Sequence, residues 1–210
     1  MLSVDLIDRL DGTKRANGLH TRSATLKFLI ELWKQRNAEM PVATFEEAMA
    51  PIEGENVPRV ICGRARSGKS FTLRKVLEGC LERGVPFVLV DTVAEHSWIP
   101  NTINFGDSMS FKFSGERSCR IVFDALPAVM QEEMKLFFGN LNSLKLDGRL
   151  RKYVIAVEES HRFVDTRPVY DFVAEAGKFT LKTIVVSSNP DLWKNVAVPM
   201  RPLPKAPAER

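Results

Sequence analysis

RVICGRARSGKSFTLRKVLEGC, Arg59 to Cys80, decides the fold. It begins as a short β-branched, apolar strand, breaks into GRARSGKS from Gly63 to Ser70, and continues in a helical pattern. Gly-x-x-x-x-Gly-Lys-Ser between a strand and a helix is the pattern of a loop that cradles nucleotide phosphates. The glycines let the backbone curl so that its N–H groups point inward at phosphate oxygens. The helix start adds the positive end of its dipole. Lys69 supplies a mobile cation for the β- and γ-phosphates, and the Ser70 hydroxyl is a hard oxygen ligand suited to Mg2+. The expected nucleotide-binding set is Gly63, Arg64, Ala65, Arg66, Ser67, Gly68, Lys69, Ser70 and Phe71, with Lys69 also catalytic.

Downstream, YVIAVEESHRFVD runs from Tyr153 to Asp165. Five mostly branched, apolar residues end on two adjacent carboxylates, Glu158 and Glu159. Burying a carboxylate is costly unless something cationic meets it. The upstream loop supplies the reason. In P-loop NTPases a carboxylate at the end of a neighbouring strand holds magnesium, and another group orients or activates the attacking water. Glu158 is therefore expected as a metal ligand with Ser70, and Glu159 as the general base. Adjacent positions of a regular strand point to opposite faces, which suits two different tasks.

Between and around these stretches, PFVLVD, RIVFDA and TIVVSSN are further short apolar runs. Successive rather than alternating apolar residues fit strands covered on both faces. SFTLRKVLEGCLERG, MQEEMKLFFGNLNSLKL and PVYDFVAEAGKF read as helices between them, so the chain is expected to be α/β with a mostly parallel central sheet. FKFSGERSCRIVF also fits a local hairpin. Three segments follow: a helical N-terminal extension over 1–55, an ATPase core over 56–195 and a proline-rich, irregular tail over 196–210. In the extension, Leu26, Leu29, Ile30 and Trp33 recur at helical spacing behind Ser23 as N-cap. Thr44 with Glu47 forms a capping-box pattern.

A chain of 210 residues has room for one domain with a real core and an appended segment. Its 27% charged and 44% hydrophobic residues are those of an ordinary globular protein. A net charge of +4 permits an anionic partner such as nucleic acid without identifying it. No apolar run approaches the roughly 18 residues of a membrane span. Asp5, Asp8 and Asp11 stand where a signal peptide would be apolar, so a cytoplasmic or virion-associated protein is expected, with no membrane partner. Cys62, Cys80 and Cys119 fit no zinc spacing and read as buried thiols. Strand ends are where α/β sheets bind ligands. That brings in Asp91, Glu95 and His96 after one strand, and Ser187, Ser188 and Asn189 after another, with Asn189 a candidate catalytic sensor of the γ-phosphate. His161 reads as structural.

Together, GRARSGKS, VLVDTVAEHS, VIAVEESHRF and GKFTLKTIVVSSNPDLW resemble, in order and spacing, the HerA/FtsK superfamily of P-loop ATPases over residues 56 to 195. That family shows Asp-x-x-x-Glu-Tyr, Asp-Glu-Ala-His, and an Arg-Lys-x-Gly run leading to a strand that ends in Thr-Gln-x-Pro. This chain departs from it at four places: Glu158 for Asp, Asn189 for Gln, Gly177 for the Arg before Lys178, and His96 for Tyr. The resemblance implies a RecA-like (ASCE) sheet with the sensor strand between the Walker A and Walker B strands. It also implies ATP and Mg2+ as cofactors, and homo-oligomeric rings, commonly hexamers, that thread double-stranded DNA. Compact members include the A32-like genome-packaging ATPases of double-jelly-roll viruses, which implies a DNA-pumping, ATP-hydrolysing translocase with a capsid or nuclease partner. A cellular HerA-like ATPase in DNA processing, an ATP-switch assembly or partition module, and a small-molecule P-loop kinase are the alternatives. The sequence does not supply the DNA path: Lys112, Arg117, Arg120, Lys145, Arg149, Arg151 and Lys152 are basic and lie between the core strands, but a charge run is usually a solvated face; candidate arginine fingers are Arg149, Arg151, Arg162 and Arg167.

Overall fold

In the computed structural model the run after Pro58 becomes β1, Arg59–Cys62, and the helix after the glycine-rich loop becomes α2, Lys69–Glu82. A short helix, α1, Phe45–Met49, precedes them. The chain continues through β2, Phe87–Asp91, β3, Thr102–Asn104, β4, Cys119–Val122, and α3, Pro127–Leu146. It finishes with β5, Val154–Val157, α4, Arg167–Glu175, β6, Lys182–Ser187, and β7, Val198–Met200. The structure describes residues 11, 13, 15, 21, 23–25, 27–28, 31, 40–51, 57–99, 101–105, 118–123, 127–148, 150–160, 167–179 and 182–204.

The strands form one sheet in the order β3-β4-β2-β5-β6-β1-β7, and each of these neighbouring pairs runs parallel. This is an α/β sheet of RecA-like strand order, in which β6 separates β1 from β5. Register places Cys62 beside Ser187 and Val157 beside Val185. The loops after β1, β5 and β6 therefore leave the sheet at the same edge, where parallel sheets bind ligands.

Every residue of β1, β2 and β5 is buried, which explains their unbroken apolar runs. Ile61, Phe87, Leu89, Val154, Ala156, Ile184 and Val186 share one apolar cluster with Leu73, Val76, Leu77 and Cys80 of α2. The intervening Val88, Val90, Ile155, Val157 and Val185 alternate to the other face and are buried as well. A chain of ring contacts runs from Phe105 through Phe137 of α3 and Phe138 to Phe172 of α4. Burial pushes the Cys80 and Cys119 thiols up to about 12, and all three cysteines are buried.

β3 and β7 have no counterpart in the sequence reading. Each has three residues, each lies at an edge of the sheet, and their pairing to the neighbouring strand defines them. β7 corrects the expectation of a wholly irregular tail. Its Pro199 is tolerated because an edge strand leaves one side of its backbone unpaired. Cys119–Val122, which also fitted a hairpin, is a parallel strand between β3 and β2, and residues 106–117 lie outside the described set.

Contacts divide the chain into units Met1–Met40 and Pro41–Arg210. In the first unit Thr21, not Ser23, caps a helical turn: its hydroxyl accepts the Ala24 N–H at 3.1 Å and its carbonyl the Thr25 N–H at 3.0 Å. Leu26, Leu29, Ile30 and Trp33 lie outside the described residues. In the second unit the Thr44 hydroxyl caps α1 by accepting the Glu47 N–H at 3.2 Å. The reciprocal half of a capping box is absent, because the Thr44 N–H donates to Val42 O at 2.8 Å. At the other end of α1, Lys182 donates to Met49 O at 2.6 Å and Arg59 to Ala50 O at 2.7 Å. Burial holds both cations below their ordinary values.

Candidate nucleotide-binding site

The loop between β1 and α2 is shaped by two left-handed residues, Arg66 at φ 62° and Gly68 at φ 92°. Gly68 takes that conformation freely, whereas a side chain there costs about 1–3 kcal/mol, as Arg66 pays. Gly63 leaves room for Ser67: a Cβ at Gly63 would stand 2.5 Å from the Ser67 hydroxyl. The Lys69 ammonium folds back over the loop and donates to Gly63 O at 3.1 Å and Arg64 O at 2.9 Å. The first N–H groups of α2 have no partner within the helix and carry its positive end. Arg64, Ala65 and Arg66 form an exposed tip, and Phe71 is 46% exposed.

Opposite the loop, the end of β5 is held from both sides. The Glu158 N–H donates to Val90 O at 3.0 Å, the Thr92 hydroxyl donates to Glu158 O at 3.2 Å, and the Ser160 hydroxyl donates to Val186 O at 3.0 Å. This strapping carries Glu158 Oε1 to the Ser70 hydroxyl, which donates to it at 2.5 Å across 88 residues of sequence. Glu158 is 1% exposed. The strand ends at Val157, and Glu159 turns into the left-handed region at φ 43°. The two glutamates are therefore separated by a backbone turn, not by the pleat alternation expected for a continuing strand.

Asn189 lies just beyond β6, exposed, and is tied through its backbone to Ser187: its N–H donates to the Ser187 hydroxyl at 3.1 Å, and that hydroxyl lies 2.9 Å from its carbonyl. The structure thus joins Ser70 to Glu158 directly, with Lys69 and Glu159 their neighbours in sequence, and places Asn189 just beyond the intervening strand.

No family model matches the chain, and no curated protein matches it. Among solved structures it is similar to the genome packaging NTPase B204 from Sulfolobus turreted icosahedral virus 2. With the complex with AMP it shares 16% identity at a TM-score of 0.46, covering 68% of this chain and 72% of that one. With the sulfate complex it shares 18% identity at a TM-score of 0.45, covering 70% and 72%. With the ATP-gammaS complex it shares 15% identity at 0.43, covering 67% and 71%.

Several polar residues take tasks other than those suggested by position. Asp91, at a strand end of the kind where α/β sheets bind ligands, is fully buried and organises its own loop. Its carboxylate accepts N–H groups of Val93, Glu95 and His96 at 3.4, 3.3 and 3.0 Å and faces Arg120 at 3.4 Å. Arg120 and Lys145, among the basic residues that sequence reads as a solvated face, are instead buried. Lys145 donates to Glu175 at 2.9 Å and lies near the rings of Phe172 and Phe179. Among the other candidates, Arg151 and Lys152 are exposed, while Lys112, Arg117, Arg149 and Arg162 lie outside the described residues, as does His161. The Arg167 backbone opens α4. Sequence reading also missed Thr72, whose hydroxyl donates to Gly68 O at 2.9 Å and accepts the Leu203 N–H at 2.8 Å, tying the C-terminal segment to the loop. Nothing in the local sequence signals a contact across 131 residues.

Ser70 and Glu158 suit a hard cation. Both offer oxygen, they converge, and the second Glu158 oxygen is buried without a hydrogen bond. Among the described residues there is no cluster of three or more His, Cys, Asp or Glu that would form a metal cage of its own. Mg2+ takes few protein ligands and keeps waters and substrate phosphates in its shell. No described helix is long and apolar enough to cross a membrane.

Proposed function

We propose that this chain is an ATP-hydrolysing translocase that pumps double-stranded DNA, of the compact genome-packaging kind, acting as a homo-oligomeric ring. The observation that supports it most is the 2.5 Å Ser70–Glu158 contact, which unites the phosphate loop with the acidic strand end across an intervening strand. Loop N–H groups and the start of α2 bind the phosphates, and Lys69 leaves its two loop carbonyls to meet the β- and γ-phosphates. Ser70 and Glu158 would hold Mg2+, which when bound neutralises charge on the phosphate oxygens. Glu159 takes a proton from the water that attacks the γ-phosphorus. The bond to the β–γ bridging oxygen breaks, leaving ADP and phosphate. Asn189 senses the γ-phosphate from the end of β6.

A pump must move over any sequence, so it grips phosphates rather than base edges. The test is ATPase rate against duplex length at fixed nucleotide. Stimulation that rises with length to a plateau supports pumping. A flat rate equal to that without DNA overturns it in favour of an ATP switch.

A further inference from the structure

His96 is 3% exposed, and its Nε2 stands 3.6 Å from Glu158 Oε2. Neither atom has a hydrogen-bond partner, although both are buried. Orphaned buried polar atoms are rare, and two that face each other are complementary. The other ring nitrogen is committed: Trp98 Nε1–H donates to His96 Nδ1 at 3.3 Å. A neutral imidazole that accepts at Nδ1 carries its proton at Nε2, aimed at the glutamate. The ring is held in place through its backbone by Asp91, which accepts the His96 N–H at 3.0 Å. Arg74 lies over the Trp98 ring at 5.3 Å and fixes the indole from α2.

We propose that His96 is a positioning residue for Glu158. Closure by a few tenths of an ångström makes Nε2–H donate to Oε2, while Ser70 occupies Oε1. The carboxylate is thereby held at both oxygens, in the orientation in which it serves magnesium. The idea rests on the nucleotide–magnesium reading of the site. Groups that orient a metal's ligands typically change metal affinity by about 10–100-fold when removed.

The test is Mn2+ affinity of the protein with a non-hydrolysable ATP analogue, read by electron paramagnetic resonance, beside metal-free binding of a fluorescent ATP analogue. His96→Phe fills the space without a donor, and His96→Gln restores an N–H near the Nε2 position. Expected are a roughly 10-fold or greater loss of Mn2+ affinity for His96→Phe, recovery to within a few-fold for His96→Gln, and unchanged metal-free nucleotide binding in both. Wild-type Mn2+ affinity in His96→Phe, with a loss in Glu158→Gln, overturns the role of His96 alone. Unchanged affinity in Glu158→Gln overturns the magnesium reading and this proposal with it. In the wild-type chain, long-range 1H–15N correlations should find His96 protonated at Nε2, and the Nδ1–H tautomer would overturn the proposal without any variant.

Discussion

At the residue scale, the two glutamates and Lys69 make separable predictions. Glu159→Gln keeps shape and loses the base. ATP should still bind, while single-turnover hydrolysis falls by about 10²- to 10⁴-fold. Lys69→Ala removes the one cation placed to leave the loop carbonyls for phosphate, so equilibrium binding should weaken or turnover vanish. Unchanged kcat and KM would remove the phosphate-loop assignment. The Lys145–Glu175 pair, buried at its lysine and exposed at its carboxylate, predicts a pH effect. Its hydrogen bond to Lys145 holds the Glu175 carboxyl below the ordinary value of 4.5. A depressed carboxyl stabilises the fold fully above the ordinary value, and that contribution is lost as pH falls through the lowered one. Urea midpoints taken from pH 7 down through the acid range should therefore show a steeper decline for the wild type than for Lys145→Met.

At the element scale, α1 is seated on α2 through one close approach. A Cβ at Gly79 would come within 2.7 Å of the Phe45 ring. Gly79→Ala gains about 1 kcal/mol of helix propensity but meets overpacking of about 1–3 kcal/mol. The net effect should be destabilising with Phe45 present. In a Phe45→Ala background the ring contact is gone and only the Cβ of residue 45, 3.1 Å away, remains, so the same substitution should cost much less. Denaturant melts of the four proteins of this cycle check that reduction. Thr44→Ala removes the α1 cap and should cost about 1 kcal/mol in the same assay.

At the scale of the whole molecule, the loop arginines Arg64 and Arg66 form its exposed tip, and Gly177 stands where the resembled family carries an arginine. An arginine from a neighbouring subunit contributes about 10³ to 10⁵ in related NTPases. Specific ATPase activity should therefore rise steeply with protein concentration as rings form. Constant, high activity down to the monomer argues against a shared site. Exposed Arg151 is the described residue to substitute first. Duplex DNA should stimulate the rate whatever its sequence. Added salt should remove the stimulation with a log–log slope of about −0.9 per phosphate contacted, while basal hydrolysis persists.

The sequence by itself determined the parallel α/β class, the glycine-rich loop between strand and helix, and the acidic strand end. Each is written in contiguous residues: the glycines that allow the turn, the apolar run that demands burial on both faces, and the charge that ends it. Thr44 capping α1 was legible for the same reason, since cap and helix are neighbours. Tertiary structure alone decided the rest. β3 and β7 are too short to carry a period and exist through pairing with the strand beside them. Arg120 and Lys145 read as surface cations until Asp91 and Glu175 met them from elsewhere in the chain. Asp91 read as a ligand-facing strand end until its own loop closed on it. The contacts of Glu158 with Ser70 and His96 join residues far apart in sequence. Whether a polar group is buried and paired depends on partners that only the folded sheet brings within reach.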